Sequence, residues 1–123
     1  MFNLGLVYNK LAASSDKGSD KYKDNYANAE VYFSKAIDLD PDELDDYQRS
    51  LFDANLEILY SLKCVAQIQQ HKFEEAKQTA QEGIDYFPGS ADLYEYLAIS
   101  LSNLGKKTEA EEANEKSKQL RGE

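Results

Sequence analysis

Residues 27–41, ANAEVYFSKAIDLDP, and residues 74–88, EEAKQTAQEGIDYFP, carry the same apolar stripe and stop at the same distance before a proline. With Ala29 set on Ala76, Phe33 falls on Ala80, Ala36 on Gly83, Ile37 on Ile84 and Pro41 on Pro88, while Tyr26 falls on Phe73. Steps of three and four residues put these side chains on one face of a helix. A helical unit that recurs with its stripe intact cannot bury that stripe alone. It must stack on its neighbours, so this self-similarity dictates architecture before any other feature is read.

Beyond Pro88, the stretch SADLYEYLAISLSNLGKKTEAEEANEKSKQL has apolar residues at 93, 94, 97, 98, 101 and 104. Their period is 3.6 residues. Gly105 interrupts the pattern, and Ala110 and Ala113 take it up on a further helix. This helix–Gly–helix unit resembles the tetratricopeptide repeat (TPR) family, whose pattern W-x2-L-G-x2-Y, A-x3-F, P recurs with a fixed period. Tyr94 stands at the Trp position, and Leu97, Ala98 and Leu101 at the Leu-Gly-Tyr positions. Ala110 follows Ala76 by one family period. Leu4, Gly5, Tyr8, Ala29, Phe33 and Pro41 match in a first unit. In the middle unit Tyr60, Lys63, Cys64 and Gln67 match poorly, whereas Ala76 and Pro88 match.

Two departures from the pattern shape the expectation. The steps from Tyr8 to Tyr26 are about three times as many as the family places there, and the intervening SSDKGSDKYKD reads as a loop with some helix extension. Ala29 and Ala76 are separated by well over one family period, with no loop signal between them. Leu44, Tyr47, Leu51, Ala54, Ile58, Leu62 and Val65 instead keep one stripe running, which predicts a single long helix over 42–70. The other expected helices are 2–14, 20–39, 72–86, 90–104 and 107–120. The resemblance implies one all-α domain over 1–123, a right-handed TPR-like solenoid of about three antiparallel helix pairs (1–41, 42–88, 89–121) with a long central helix. The polar last helix suits a closing unit. Met1 falls on the Trp position, so the first unit is entered late, and Phe2, Leu4, Leu6 and Val7 appear with no preceding cap. That reads as a piece of a longer protein or as a helix that covers itself by self-association. The irregular insertions fit a bacterial parent.

Charge and composition narrow the function classes. The chain has 23 acidic against 14 basic residues, a net charge of −9. An acidic excess disfavours a nucleic-acid backbone and an anionic membrane surface, both of which need clustered Lys and Arg. Nine tyrosines without interleaved cations do not make a base-stacking platform; Tyr26, Tyr60 and Tyr94 fall on packing positions. One cysteine excludes an internal disulfide. No run reaches the length of a membrane span. The opening MFNLGLVYNKLAASS lacks a basic residue ahead of its short apolar part, and it reads as a first helix rather than a secretory leader.

Candidate chemistry is thin. The acidic run 38–46, DLDPDELDD, fails the EF-hand spacing, with Glu43 where Gly is required and Arg49 where the bidentate Glu belongs. It reads as a helix start, with Pro41 at the first position and Asp42, Glu43, Asp45 and Asp46 complementing the helix dipole. His71 stands where the family prefers Gly and reads as a turn residue tolerating a left-handed backbone. Cys64 stands at the family's small-residue position and reads as a packed small hydrophobe. No catalytic motif, metal set or cofactor loop stands out.

What remains is the concave face that the resemblance implies, lined by the first helix of each pair. For the first unit this places Leu6, Asn9 and Lys10 there. For the middle unit it places Ile58, Ser61, Val65, Ile68 and Gln69, and for the last Asp92, Glu95, Ile99, Ser102 and Asn103. The positions with which some TPR domains grip C-terminal carboxylates hold Phe2, Leu6, Leu62, Asp92 and Tyr96, which does not suit that ligand. The expectation is a non-catalytic scaffold that binds a peptide or protein segment, amphipathic or basic, by apolar contacts and hydrogen bonds. The alternative is a self-association or intramolecular docking module of a larger protein, with a homodimer through the N-terminal helix.

Overall fold

A computed structural model describes the backbone of residues 20–123 and the side chains of residues 23–123. Among these residues the chain is helical throughout, with no strand: α1 (Asp20–Ile37), a 3-10 turn (Pro41–Glu43), α2 (Asp46–Gln69), α3 (Phe73–Tyr86), α4 (Ala91–Asn103) and α5 (Lys107–Leu120). The all-α class read from the sequence is therefore correct. The helix expected over 2–14, and with it Leu6, Asn9 and Lys10, lies outside the described residues. No described helix is long and apolar enough to cross a membrane.

The helix expected over 42–70 is two elements. Pro41 does open a helical turn, but it is the 3-10 turn, capped by Asp40, whose Oδ1 accepts from the Asp42 N–H at 3.0 Å. Leu44 is extended (φ −92°, ψ 143°) and ends that turn. The α-helix starts anew at a capping box: Asp45 Oδ1 accepts from the Gln48 N–H at 2.7 Å, while Gln48 Oε1 accepts from the Asp45 N–H at 3.1 Å. Two of the orphan donors at the helix start are thus satisfied reciprocally. The Asp-x-x-Gln signature is present in the sequence and places the boundary; the continuous apolar stripe masks it.

Two hairpins close in the same way. After α2, the Lys72 N–H donates to Gln67 O and the His71 N–H to Ile68 O, both at 2.9 Å. After α4, the Lys106 N–H donates to Leu101 O at 2.9 Å and the Gly105 N–H to Ser102 O at 3.1 Å. Both are Schellman closures with a left-handed residue at the pivot, His71 at φ 60° and Gly105 at φ 80°. The distance along the chain from one pivot to the other equals that from Ala76 to Ala110. The two turns thus share their geometry as well as their spacing.

Each helix packs on the next in the chain, and α2 also packs directly on α4. One core runs through α2–α5, built from Tyr60, Cys64, Ala80, Leu93, Leu97, Ala98, Leu101, Ala110 and Ala113. A second, Ala29, Phe33, Ala36 and Leu59, joins α1 to α2. The small members of the repeated stripe are what let the helices approach. A methyl group placed on Gly83 would sit 2.8 Å from Leu93 Cδ1 and 3.1 Å from Tyr60 Cβ and Cγ, closer than carbon atoms pack. On α5 the buried residues are Ala110, Ala113 and Ser117, and the rest of the helix faces outward with its charges.

Candidate partner-binding face

The buried residues of α2 are Leu59, Tyr60, Cys64, Ala66 and Gln67. Residues seven apart lie on one line of a helix, so the pairs Leu59/Ala66 and Tyr60/Gln67 mark the inward side. Tyr47, Leu51, Ala54, Ile58, Ser61 and Val65 recur at alternating steps of four and three on the opposite side. Ile58 is half exposed (50%), and Ser61, Val65, Ile68 and Gln69 are half-buried. The expected groove residues of this helix therefore lie off its buried side, and their cover increases toward its C-terminal end.

On α4, Leu93, Leu97, Ala98, Ser100 and Leu101 turn inward. Asp92, Ile99, Ser102 and Asn103 are exposed and Glu95 is half-buried, again on the outward side. Ile99, Ser102 and Asn103 come together in a shallow open concavity whose far wall is Lys107, Ala110, Glu111 and Asn114 of α5. Asn103 Nδ2 donates to Ile99 O at 2.8 Å.

Asp92 and Glu95 do not form an open acidic subsite. Arg121, just past α5, donates through one guanidinium nitrogen to Asp92 Oδ1 at 2.7 Å and Glu95 Oε2 at 3.0 Å. Its other terminal nitrogen, Nη1, donates to Ser117 Oγ at 3.1 Å, and that hydroxyl donates to Ala91 O at 2.9 Å. The planar fork of an arginine suits such double capture. Sequence reading missed Arg121 because its partners lie a whole helix hairpin away along the chain. The available hint was the i, i+3 pair of carboxylates on an early turn of α4.

A second polar cluster ties three helices together. Glu30 of α1 accepts from Gln67 Nε2 at 3.1 Å, Gln70 Nε2 at 2.9 Å and Lys72 Nζ at 3.0 Å. Gln67 Oε1 in turn accepts from Thr79 Oγ1 of α3 at 2.8 Å. Burial pushes the Glu30 carboxyl up, but the hydrogen bonds from Lys72, Gln70 and Gln67 together outweigh it and hold the group below its ordinary range. Every Glu30 oxygen has a donor, so the cluster joins the helices rather than offering a free base.

The two residues with potential chemistry of their own are placed structurally. Cys64 is fully buried, its thiol pushed up to about 12 by burial, and its Sγ–H points at Ala76 O at 3.8 Å. His71 packs edge-on to Phe73 with ring centroids 5.7 Å apart. Tyr26 and Tyr60 are buried and Tyr94 is half-buried. Among the described residues, no three His, Cys, Asp or Glu side chains converge as metal ligands would. No family model, no curated protein and no solved structure matches this chain.

Proposed function

We propose that this chain is a non-catalytic scaffold, a short TPR-like solenoid that binds a peptide or protein segment along the outward sides of α2 and α4. The observation that carries the reading is the contrast between the two sides of these helices. Inward they are closed by packing; outward they leave Ile58 (50% exposed) and Ile99 (37% exposed) beside Ser61, Ser102 and Asn103. Apolar anchors set among hydrogen-bonding groups are the composition of a recognition surface. The two Schellman turns, spaced like the alanines Ala76 and Ala110, support the helix-pair repeat on which the solenoid reading rests.

Selection of displayed peptides against the chain tests this. Selected segments should bind in solution, and the Ile58→Asp, Ile99→Asp double variant should weaken them by at least about tenfold while its helical circular dichroism stays unchanged. Binders indifferent to both substitutions would overturn the reading.

A further inference from the structure

The first three turns of α2 do not behave like the rest of the helix. Its buried residues begin only at Leu59. From Asp46 to Ile58 none is buried, and Tyr47 (74% exposed), Leu51 (48%) and Ile58 (50%) stand on one outward line with the exposed Ala54 between them. The stripe from which the sequence predicts one long helix is here, over its first turns, an apolar row facing water. Its steps of four, three and four are those of a coiled-coil seam, about 17 Å long at 1.5 Å per residue.

The surroundings of the row select its occupant. Between residues 38 and 57 the chain carries eight carboxylates and one cation, Arg49, a local charge of −7 within a total of −9. Asp45, Asp46, Asp53 and Glu57 lie on the same stretch of chain and are exposed. A second copy of this row would bring the same −7 to within the roughly 8–10 Å spacing of packed helices, about one Debye length at physiological salt. Repulsion therefore disfavours self-pairing here. An extended strand finds no purchase either, because a helix has already spent its backbone donors and acceptors internally. A row at seam spacing accepts the ridge of another helix, and the negative charge around it, with Glu57 beside the row and the carboxylates of residues 38–46 at its start, favours a basic one.

From these residues we infer that the projecting end of α2 is a docking surface for an amphipathic helix of a partner, its apolar face laid on Tyr47, Leu51, Ala54 and Ile58 and its edges rich in Lys and Arg. The inference extends the proposed binding face and rests on the reading that the outward side of α2 is used for recognition. It does not need the α4 side, where Arg121 already pairs with Asp92 and Glu95.

The test uses the full chain and a synthetic helical peptide of about 18 residues, with Leu at four-three spacing flanked by Lys and Arg. A second peptide keeps the same Leu residues but carries Glu flanks. Expected by calorimetry is binding of the basic peptide, loss of at least about tenfold for Leu51→Glu, weakening as salt rises, and no binding of the Glu-flanked peptide. Gln81→Asp, on the exposed side of α3, should leave this binding unchanged. Because Leu51 is exposed, Leu51→Glu keeps its circular dichroism and the loss reads as contact. Equal binding of both peptides, indifference to Leu51→Glu, or equal sensitivity to Gln81→Asp would each overturn the inference. So would a homodimer in light scattering that Leu51→Glu dissociates. Failure here with displayed peptides still sensitive to Ile99→Asp would leave the scaffold reading standing without this surface.

Discussion

At His71 the backbone takes φ 60°, a conformation that costs a side-chain-bearing residue about 1–2 kcal/mol relative to glycine. The equivalent pivot, Gly105, avoids that cost. His71→Gly is therefore expected to raise stability by about 1 kcal/mol and His71→Val to lower it by a similar amount, both measurable by urea denaturation. Gly83 gives the opposite lesson. Glycine inside a helix ordinarily costs about 1 kcal/mol against alanine, so Gly83→Ala would stabilise if space allowed. Contacts of 2.8 and 3.1 Å to Leu93 and Tyr60 leave none. Overpacking costs about 1–3 kcal/mol, and the net effect expected in the same assay is destabilisation.

At the scale of elements, two polar devices hold helices in different ways. The Asp45–Gln48 capping box orders the start of α2, which has no buried residue before Leu59. Asp45→Ala is expected to cost about 1 kcal/mol locally. Hydrogen exchange should show lost protection over 46–55 with little change in the global midpoint, because that stretch contributes little to the core. The Glu30 cluster instead joins α1, α2 and α3. Its carboxyl is held below the ordinary range when folded. Its contribution is therefore complete above the unfolded value of about 4.3 and disappears as pH falls through the lower folded value. Glu30→Gln should flatten the acid limb of the stability curve below the unfolded value relative to the unaltered chain. Glu30→Ala should cost about 1–3 kcal/mol at neutral pH by stripping the acceptor from Gln67 and Gln70.

At the scale of the whole molecule, charge is distributed unevenly. The acidic excess concentrates around the start of α2, while the carboxylates of α4 are closed off by Arg121. Arg121→Ala would reopen Asp92 and Glu95. Lysine-bearing peptides are then expected to bind the α4 side a few-fold more tightly, the scale of one exposed ion pair. Titration calorimetry at low and high salt would check this, and the gain should vanish at high salt. An unchanged affinity would mean that these carboxylates take no part in recognition.

By itself the sequence determined the helical class and the left-handed turn at His71, because a 3.6-residue apolar period and a left-handed pivot are local properties. Ala29, Phe33, Ala36, Ala76 and Ala80 are buried as their shared stripe requires, and His71 takes the backbone its position asks of it. The start of α2 was written locally too, in Asp45 and Gln48, but the longer stripe spoke over it. What only the tertiary structure decided is which stripe is core. Tyr47, Leu51 and Ile58 keep a helical apolar period, yet no described helix covers them, so these residues end in water while Leu59, Tyr60 and Cys64 of the same helix are buried. Likewise the pairing of Arg121 with Asp92 and Glu95 depends on α5 folding back along α4, which no local rule encodes. Periodicity specifies that a face is apolar; the lengths and docking of the neighbouring helices decide whether it is covered.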